Sequence, residues 1–281
     1  MPEDLVEVNL PDGVSSKDVN LLIFIPCYGG QSYSTSNDSV MQLMLHMLQK
    51  GVRGNLIYAA NESLIPRARN RAGLLCLQPS PDGTPYSHLL FLDADIGFNP
   101  ENIFQAIGFN KDIVGLPYTA KAYDFKKIVR AVQNGITDPD QLSRCGGRPI
   151  INTEVPESFD PTKPKEVPQL GTGALLIKRR VFERLAELPE RKYKLMEGEK
   201  VGLPEGVDYA YDFFPIGINS KTNYYDSEDY RFCLDARELG FETWLLPWAV
   251  TNHTGPHTFW MDILMQAQAR TDLMKEELSP A

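Results

Sequence analysis

Three short apolar runs, each leading through turn residues into a helical pattern, constrain the fold of this 281-residue chain more than any other feature. Residues 21–26 (Leu-Leu-Ile-Phe-Ile-Pro) read as a buried strand ending in the flexible turn Cys27-Tyr28-Gly29-Gly30. Helical apolar spacing follows over 40–48, with Ser36, Asn37 or Asp38 as N-cap candidates and Gly51 as the stop. Residues 56–60 form a second strand, and 66–77 a helix with a basic face of Arg67, Arg69 and Arg71. The third run, 89–92, ends in Asp93-Ala94-Asp95, and Asn99-Pro100 opens a helix over 100–109. A short strand is expected at 112–116. This alternation predicts an α/β fold whose mostly parallel sheet is flanked by helices on both faces. Ligands of such sheets sit beyond the carboxyl ends of the strands, where Tyr28-Gly29-Gly30 and Asp93-Ala94-Asp95 both fall.

Periodicity lapses over 118–168, which is rich in Pro, Lys, Asp and Thr and reads as an irregular or β-hairpin insertion. Order returns at Gly171-Thr172-Gly173, a turn entering a strand, and continues into a helix over 180–187. Another helix is expected over 227–239, with Ser227 as N-cap, Glu228 and Asp229 in its first turn and Gly240 closing it. A strand at 243–246 precedes a loop, 250–259, that bears His253 and His257, and the end of the chain reads as an amphipathic helix. No linker divides the sequence, so one domain spanning 1–281 is expected.

The chemistry centres on Asp93 and Asp95. Residues i and i+2 of an extended chain point to one side, so the two carboxylates can face a common point. Carboxylates placed among Leu, Phe and Ile are costly without a neutralising partner. A divalent cation is such a partner, since hard ions take carboxylate oxygens and share them with substrate phosphates. Composition narrows the partners. The net charge of −9 argues against a nucleic-acid backbone as the main partner. It leaves room for a local basic groove, and Lys121, Lys126, Lys127 and Arg130 cluster in the insertion. No stretch approaches the roughly 20 apolar residues of a membrane span. The start, Met1-Pro2-Glu3-Asp4, lacks a signal peptide's basic and apolar regions. Cys27, Cys76, Cys145 and Cys233 are scattered without a C-x-x-C pair, as expected for free thiols in a reducing, cytoplasmic setting.

Taken in order, these pieces resemble the nucleotide-sugar-dependent glycosyltransferases of the GT-A fold, over most of the chain outside 118–168. Ile23-Phe24-Ile25-Pro26-Cys27-Tyr28 is similar to the opening strand that ends at the nucleotide, and Arg67-Ala68-Arg69-Asn70 to the basic helix before the metal motif. Asp93-Ala94-Asp95 matches the D-x-D motif, and Gly171-Thr172-Gly173 resembles the acceptor-side turn. Ser227-Glu228-Asp229 is similar to the acidic catalytic motif, and His253-Thr254-Gly255 to the late histidine that completes the metal site. The resemblance implies a Rossmann-like fold with a nucleotide-sugar-binding half (1–117) and an acceptor and catalytic half (169–281). It implies Mn²⁺ or Mg²⁺ held by Asp93, Asp95 and His253, and His257, four residues on, is close enough in sequence to substitute. Mixed oxygen and nitrogen ligation favours Mn²⁺. A nucleoside diphosphate sugar, expected to be a UDP-sugar, would meet Pro26, Tyr28, Arg69, Asp93 and Asp95. Asp229 would be the base of an inverting transfer, with Glu228 orienting the acceptor. The sequence departs from the family after the second strand, where an acidic D-D-x-S turn is replaced by Ala59-Ala60-Asn61-Glu62-Ser63.

Each residue also has a plainer reading. Arg69 can be a solvated helix face, Tyr28 a packed loop residue, and Glu228 and Asp229 acids that favour a helix N-terminus. Trp244, Trp248 and Trp260 can form a sugar-stacking platform, while Trp244 fits the core equally well. A retaining transferase, a nucleotidyltransferase-like enzyme and a non-catalytic nucleotide-sugar-binding protein are the alternatives. No Gly-rich loop with a Lys follows Gly29-Gly30, as phosphoryl chemistry usually needs. The acceptor stays open among carbohydrate, protein, small molecule and modified nucleic-acid base.

Overall fold

A computed structural model describes residues 14–150 and 160–256 of the chain. Strand β1 (Asn20–Cys27) leads to helix α1 (Ser34–Lys50), then β2 (Arg53–Ala60) and α2 (Ile65–Cys76). Strand β3 (His88–Leu92) and the short β4 (Ile96–Phe98) flank the Asp93-Ala94-Asp95 turn, and α3 (Pro100–Gly108) and β5 (Ile113–Gly115) follow. The insertion contributes β6 (Thr119–Tyr123), α4 (Phe125–Gln133), α5 (Pro139–Cys145), β7 (Gly147–Pro149) and β8 (Lys165–Glu166). After β9 (Ala174–Lys178) and α6 (Arg179–Ala186) come two small hairpins, β10 (Lys192–Lys194) with β11 (Tyr209–Tyr211) and β12 (Gly217–Ile218) with β13 (Tyr225–Asp226). Helix α7 (Glu228–Glu238), β14 (Thr243–Leu245) and β15 (Thr251–His253) complete the described chain.

Seven strands form the central sheet in the order β2-β1-β3-β9-β5-β14-β8. Five of them run the same way, as the strand–helix alternation predicts, while β9 and β8 run against them. Alternation within β1 sorts the core. Leu21, Ile23 and Ile25 join Leu43, Met47, Ile103 and Phe104 under α1 and α3. Leu22 and Phe24 face the other way, toward Ala68, Ala72, Phe182 and Phe232 of α2, α6 and α7. The sheet is therefore buried on both faces, which is why its strands read as continuous apolar runs.

Several expectations change. Helix α1 begins at Ser34, with Tyr33 and not Ser36, Asn37 or Asp38 at its N-cap. The 118–168 insertion holds two short helices besides its β-hairpin, each capped by an aspartate side chain, Asp124 and Asp138. His253 lies on β15, paired with β4, and not in a loop. The expected C-terminal helix, His257 and Trp260 lie outside the described residues. The four cysteines are free thiols. No helix among the described residues is long and apolar enough to cross a membrane.

His88, at the start of β3, supplies a pH handle on this core. Burial above all, with the nearby Lys178 charge, lowers its pKa from 6.5 to about 4. Nδ1 lies 2.8 Å from the Ser87 hydroxyl. A depressed folded pKa contributes stability that is complete above the unfolded value and is lost as pH falls through the folded one. The chain should therefore lose about 3 kcal/mol between pH 6.5 and 4 through this group alone. Urea unfolding of the wild type and His88→Gln across that window checks it. Parallel pH profiles for the two proteins would contradict the assignment.

Candidate functional site

The carboxyl ends of β1 and β3 and the start of β9 meet at one edge of the sheet. There the Asp93 amide donates to the Gly173 carbonyl at 2.9 Å, tying the aspartate turn to Gly171-Thr172-Gly173. After β1 the chain turns through Gly29 and Gly30, both at positive φ, which only glycine adopts without strain. Tyr28, beside them, is 77% exposed.

Arg69 is the organising charge. It sits in the second turn of α2, only 5% exposed, and its guanidinium binds Glu228 at the start of α7. Nη2 also lies 3.6 Å from Asp93 Oδ1. Burial pushes the Glu228 carboxyl above its usual range, against the pull of Arg69. The same competition holds Asp93 high, with Asp95 and Asp229 adding repulsion. The solvated-face reading of Arg69 is thus replaced by a buried ionic bridge, in which one carboxylate oxygen of Glu228 meets Arg69. The buried Nε of Arg69 has no partner among the described residues.

Asp95 has a different set of partners. One carboxylate oxygen takes the ammonium of Lys121 from β6, and the other lies 3.2 Å from His253 Nε2. Burial raises the Asp95 pKa, but His253 and Lys121 together outweigh it and leave the carboxyl low. His253 Nδ1 donates to the Thr119 carbonyl at 2.6 Å, because a carbonyl can only accept. That bond directs Nε2 at Asp95. Burial works against protonation of His253, yet its bonds to Asp95 and Thr119 raise its pKa. The Tyr118 ring packs edge-on to His253, with centroids 6.0 Å apart. A Cβ on Gly173 would lie 2.9 Å from that ring, so the two glycines of the turn make room for Tyr118. Thr172 between them carries a buried hydroxyl with no partner among the described residues.

Asp229 follows Glu228 on α7. Its Oδ1 accepts from the Ser227 hydroxyl and from the Tyr230 amide at 2.8 Å, and no described residue bonds Oδ2. Ser227 spends its hydroxyl on Asp229 and does not cap the helix amides. The charge of Asp229 adds to the repulsion that raises the pKa of Asp93 and of Tyr118.

The structure thus gathers Asp93, Arg69, Glu228 and Asp229 on one side and Asp95, His253 and Lys121 on the other. Among the described residues no three His, Cys, Asp or Glu side chains form a ready metal cage. Asp95 and His253 would fit part of one once the proton between them is displaced, with the imidazole fixed through its second nitrogen, the usual support of a metal-bound histidine. Glu62, in the departing Ala59-Ala60-Asn61-Glu62-Ser63 turn, is held by Arg67 at 2.8 Å and by the Leu64 amide at 2.9 Å. Trp248 donates to Gln105 at 2.8 Å and Trp244 packs on Phe109, so each is engaged by α3 or the residue that ends it. Sequence reasoning missed Tyr118, Thr119 and the role of Lys121. Only the paired glycines hinted at a large ring beside them.

This is a mixed α/β fold with a charged cleft at the carboxyl edge of a mostly parallel seven-stranded sheet. No protein-family model matches the chain, and no curated protein does. Among solved structures, A197 from STIV is 14% identical, with a TM-score of 0.43 over 85% of this chain and 87% of that one. GalNAc-T7, crystallised with UDP, GalNAc and Mn²⁺, is 11% identical, with a TM-score of 0.43 over 86% of this chain and 44% of that one. A glycosyltransferase involved in glycosylation of the major capsid of PBCV-1 is 13% identical, with a TM-score of 0.26 over 60% and 68% of the two chains. All three are remote likenesses.

Proposed function

We propose that this chain is a metal-dependent glycosyltransferase moving a sugar from a nucleoside diphosphate sugar to an acceptor hydroxyl with inversion. One observation carries the reading. His253 Nε2 and a carboxylate oxygen of Asp95, both lone-pair bearers once Nδ1 holds its proton, face each other at 3.2 Å. A proton on Nε2 closes that contact here, which raises the His253 pKa, and a divalent cation would take the proton's place when bound. Mn²⁺ suits that oxygen–nitrogen pair, with further positions left for water and diphosphate oxygens. When bound, the ion would stabilise the charge that develops on the departing diphosphate.

The chain's own residues have the remaining roles. Arg69 holds Glu228 and Asp93 in place. Asp229 Oδ2 takes the acceptor proton as the hydroxyl oxygen bonds to the anomeric carbon. The bond from that carbon to the diphosphate breaks, and its electron pair leaves with the phosphate. Tyr28 and Pro26, at the end of β1, border the nucleotide, for which a UDP-sugar is the expected donor.

Isothermal titration tests the site. Losing even an outer-shell partner of a metal commonly costs ~10–100-fold in affinity, so Asp95→Ala should weaken Mn²⁺-dependent nucleoside diphosphate binding by at least about tenfold. Unaltered affinity in that variant would remove Asp95 from the metal. A large loss in His253→Ala should accompany it.

A further inference from the structure

The insertion builds a second feature that glycosyl transfer does not explain. A groove of about 1490 Å³ runs from His253 along β6 to the start of α4. That exceeds the ~300–1,000 Å³ of a typical small-molecule pocket, and fits a segment of chain better than a sugar. Tyr123 and Phe125 line it, 54% and 68% exposed, with ring centroids 6.2 Å apart. Lys121 and Arg144 line it too.

The charge is as unusual as the rings. Between residues 118 and 150 six basic side chains (Lys121, Lys126, Lys127, Arg130, Arg144 and Arg148) outnumber the acids Asp124, Asp138 and Asp140, in a chain of net charge −9. Asp124 and Asp138 spend their carboxylates on the backbone amides of α4 and α5. Apart from Lys121, which meets Asp95, none of these cations has an ion-pair partner among the described residues, as is also true of Arg53 and Arg71 elsewhere in the chain.

We infer that this groove binds single-stranded nucleic acid, with bases stacked on Tyr123 and Phe125 and phosphates met by Arg144 in the groove and by the other cations of the insertion outside it. Rings interleaved with cations along a concave track are how such strands are held without base-edge readout. A neutral glycan would use the rings and leave the cations idle. A lipid surface meets a convex face, and these rings line a concave one. As the acceptor groove this inference rests on the glycosyltransferase reading, and it would place an acceptor hydroxyl on a nucleotide of the strand. As a binding site it stands apart from that reading.

Fluorescence anisotropy with a labelled oligothymidylate of about 12 nucleotides, without metal or donor, tests it. Binding should weaken as salt rises. Tyr123→Ala and Phe125→Ala should each lower affinity ~5–150-fold, because stacking on one aromatic contributes ~1–3 kcal/mol per base. Arg144→Gln should reduce the slope of log K against log salt by about 0.7. Lys221→Gln, outside the groove, should change neither. Absence of binding at low salt would overturn the inference, as would Phe125→Ala binding like the wild type. Heparin competing equally against wild type and Phe125→Ala would reduce the groove to bare charge, and binding of phosphatidylserine vesicles with no oligonucleotide binding would give it to a membrane. A protein that releases sugar from a nucleotide sugar yet ignores the oligonucleotide would sink this inference alone.

Discussion

Asp229→Asn should leave donor binding intact and lower turnover by about 10²–10⁴-fold, the usual contribution of a positioned base. The substitution is nearly isosteric. Its amide can present an oxygen to the Ser227 hydroxyl and the Tyr230 amide, so the first turn of α7 should survive. What it cannot do is take a proton from the acceptor. The loss should therefore fall on kcat with donor KM little changed. The product of the wild type should carry inverted anomeric configuration. A retained configuration, or near-normal turnover in Asp229→Asn, would take the base role away from Asp229.

Arg69→Met should destabilise the protein by about 3–5 kcal/mol, the range for removing one partner of a buried ion pair. Methionine is close to the arginine stem in length and apolar volume, so packing loss is secondary. The cost comes from Glu228 and Asp93, whose pKa values burial already raises and which would then face each other without a cation. Urea unfolding reads the effect. A loss under about 1 kcal/mol would mean that water already neutralises both carboxylates, and that Arg69 is not the keystone described above. Arg69→Lys should fall between, since an ammonium lacks the planar fork that meets two anions at once.

What the sequence made legible was whatever local patterning controls. The strand ends at Cys27 and Leu92, the aspartates beyond β3 and the helix opening at Glu228 follow from apolar runs, glycines and caps over a few residues. Direction is another matter. Residues 174–178 read as a strand, but apolar composition does not say that β9 runs against β3 and β5. A loop is the natural reading of Thr251-Asn252-His253, because three residues carry no alternation. Its strand character comes from pairing with β4, some 150 positions earlier in the chain. The insertion hid two helices of nine and seven residues behind a Pro- and Lys-rich composition, although Asp124 and Asp138 stand as caps before both. The partners of Arg69 and Lys121 were the least readable. A basic residue on a helix looks the same in sequence whether it meets water or two buried carboxylates, and only the approach of α7 to α2 decides.

Release of free sugar from a panel of nucleoside diphosphate sugars, with and without Mn²⁺, tests the central claim most directly. One donor should be hydrolysed or transferred in a metal-dependent way, with the nucleoside diphosphate as co-product, and the activity should vanish in Asp95→Ala. Metal-independent release, no release from any donor, or formation of pyrophosphate from a nucleoside triphosphate and a sugar phosphate would contradict it.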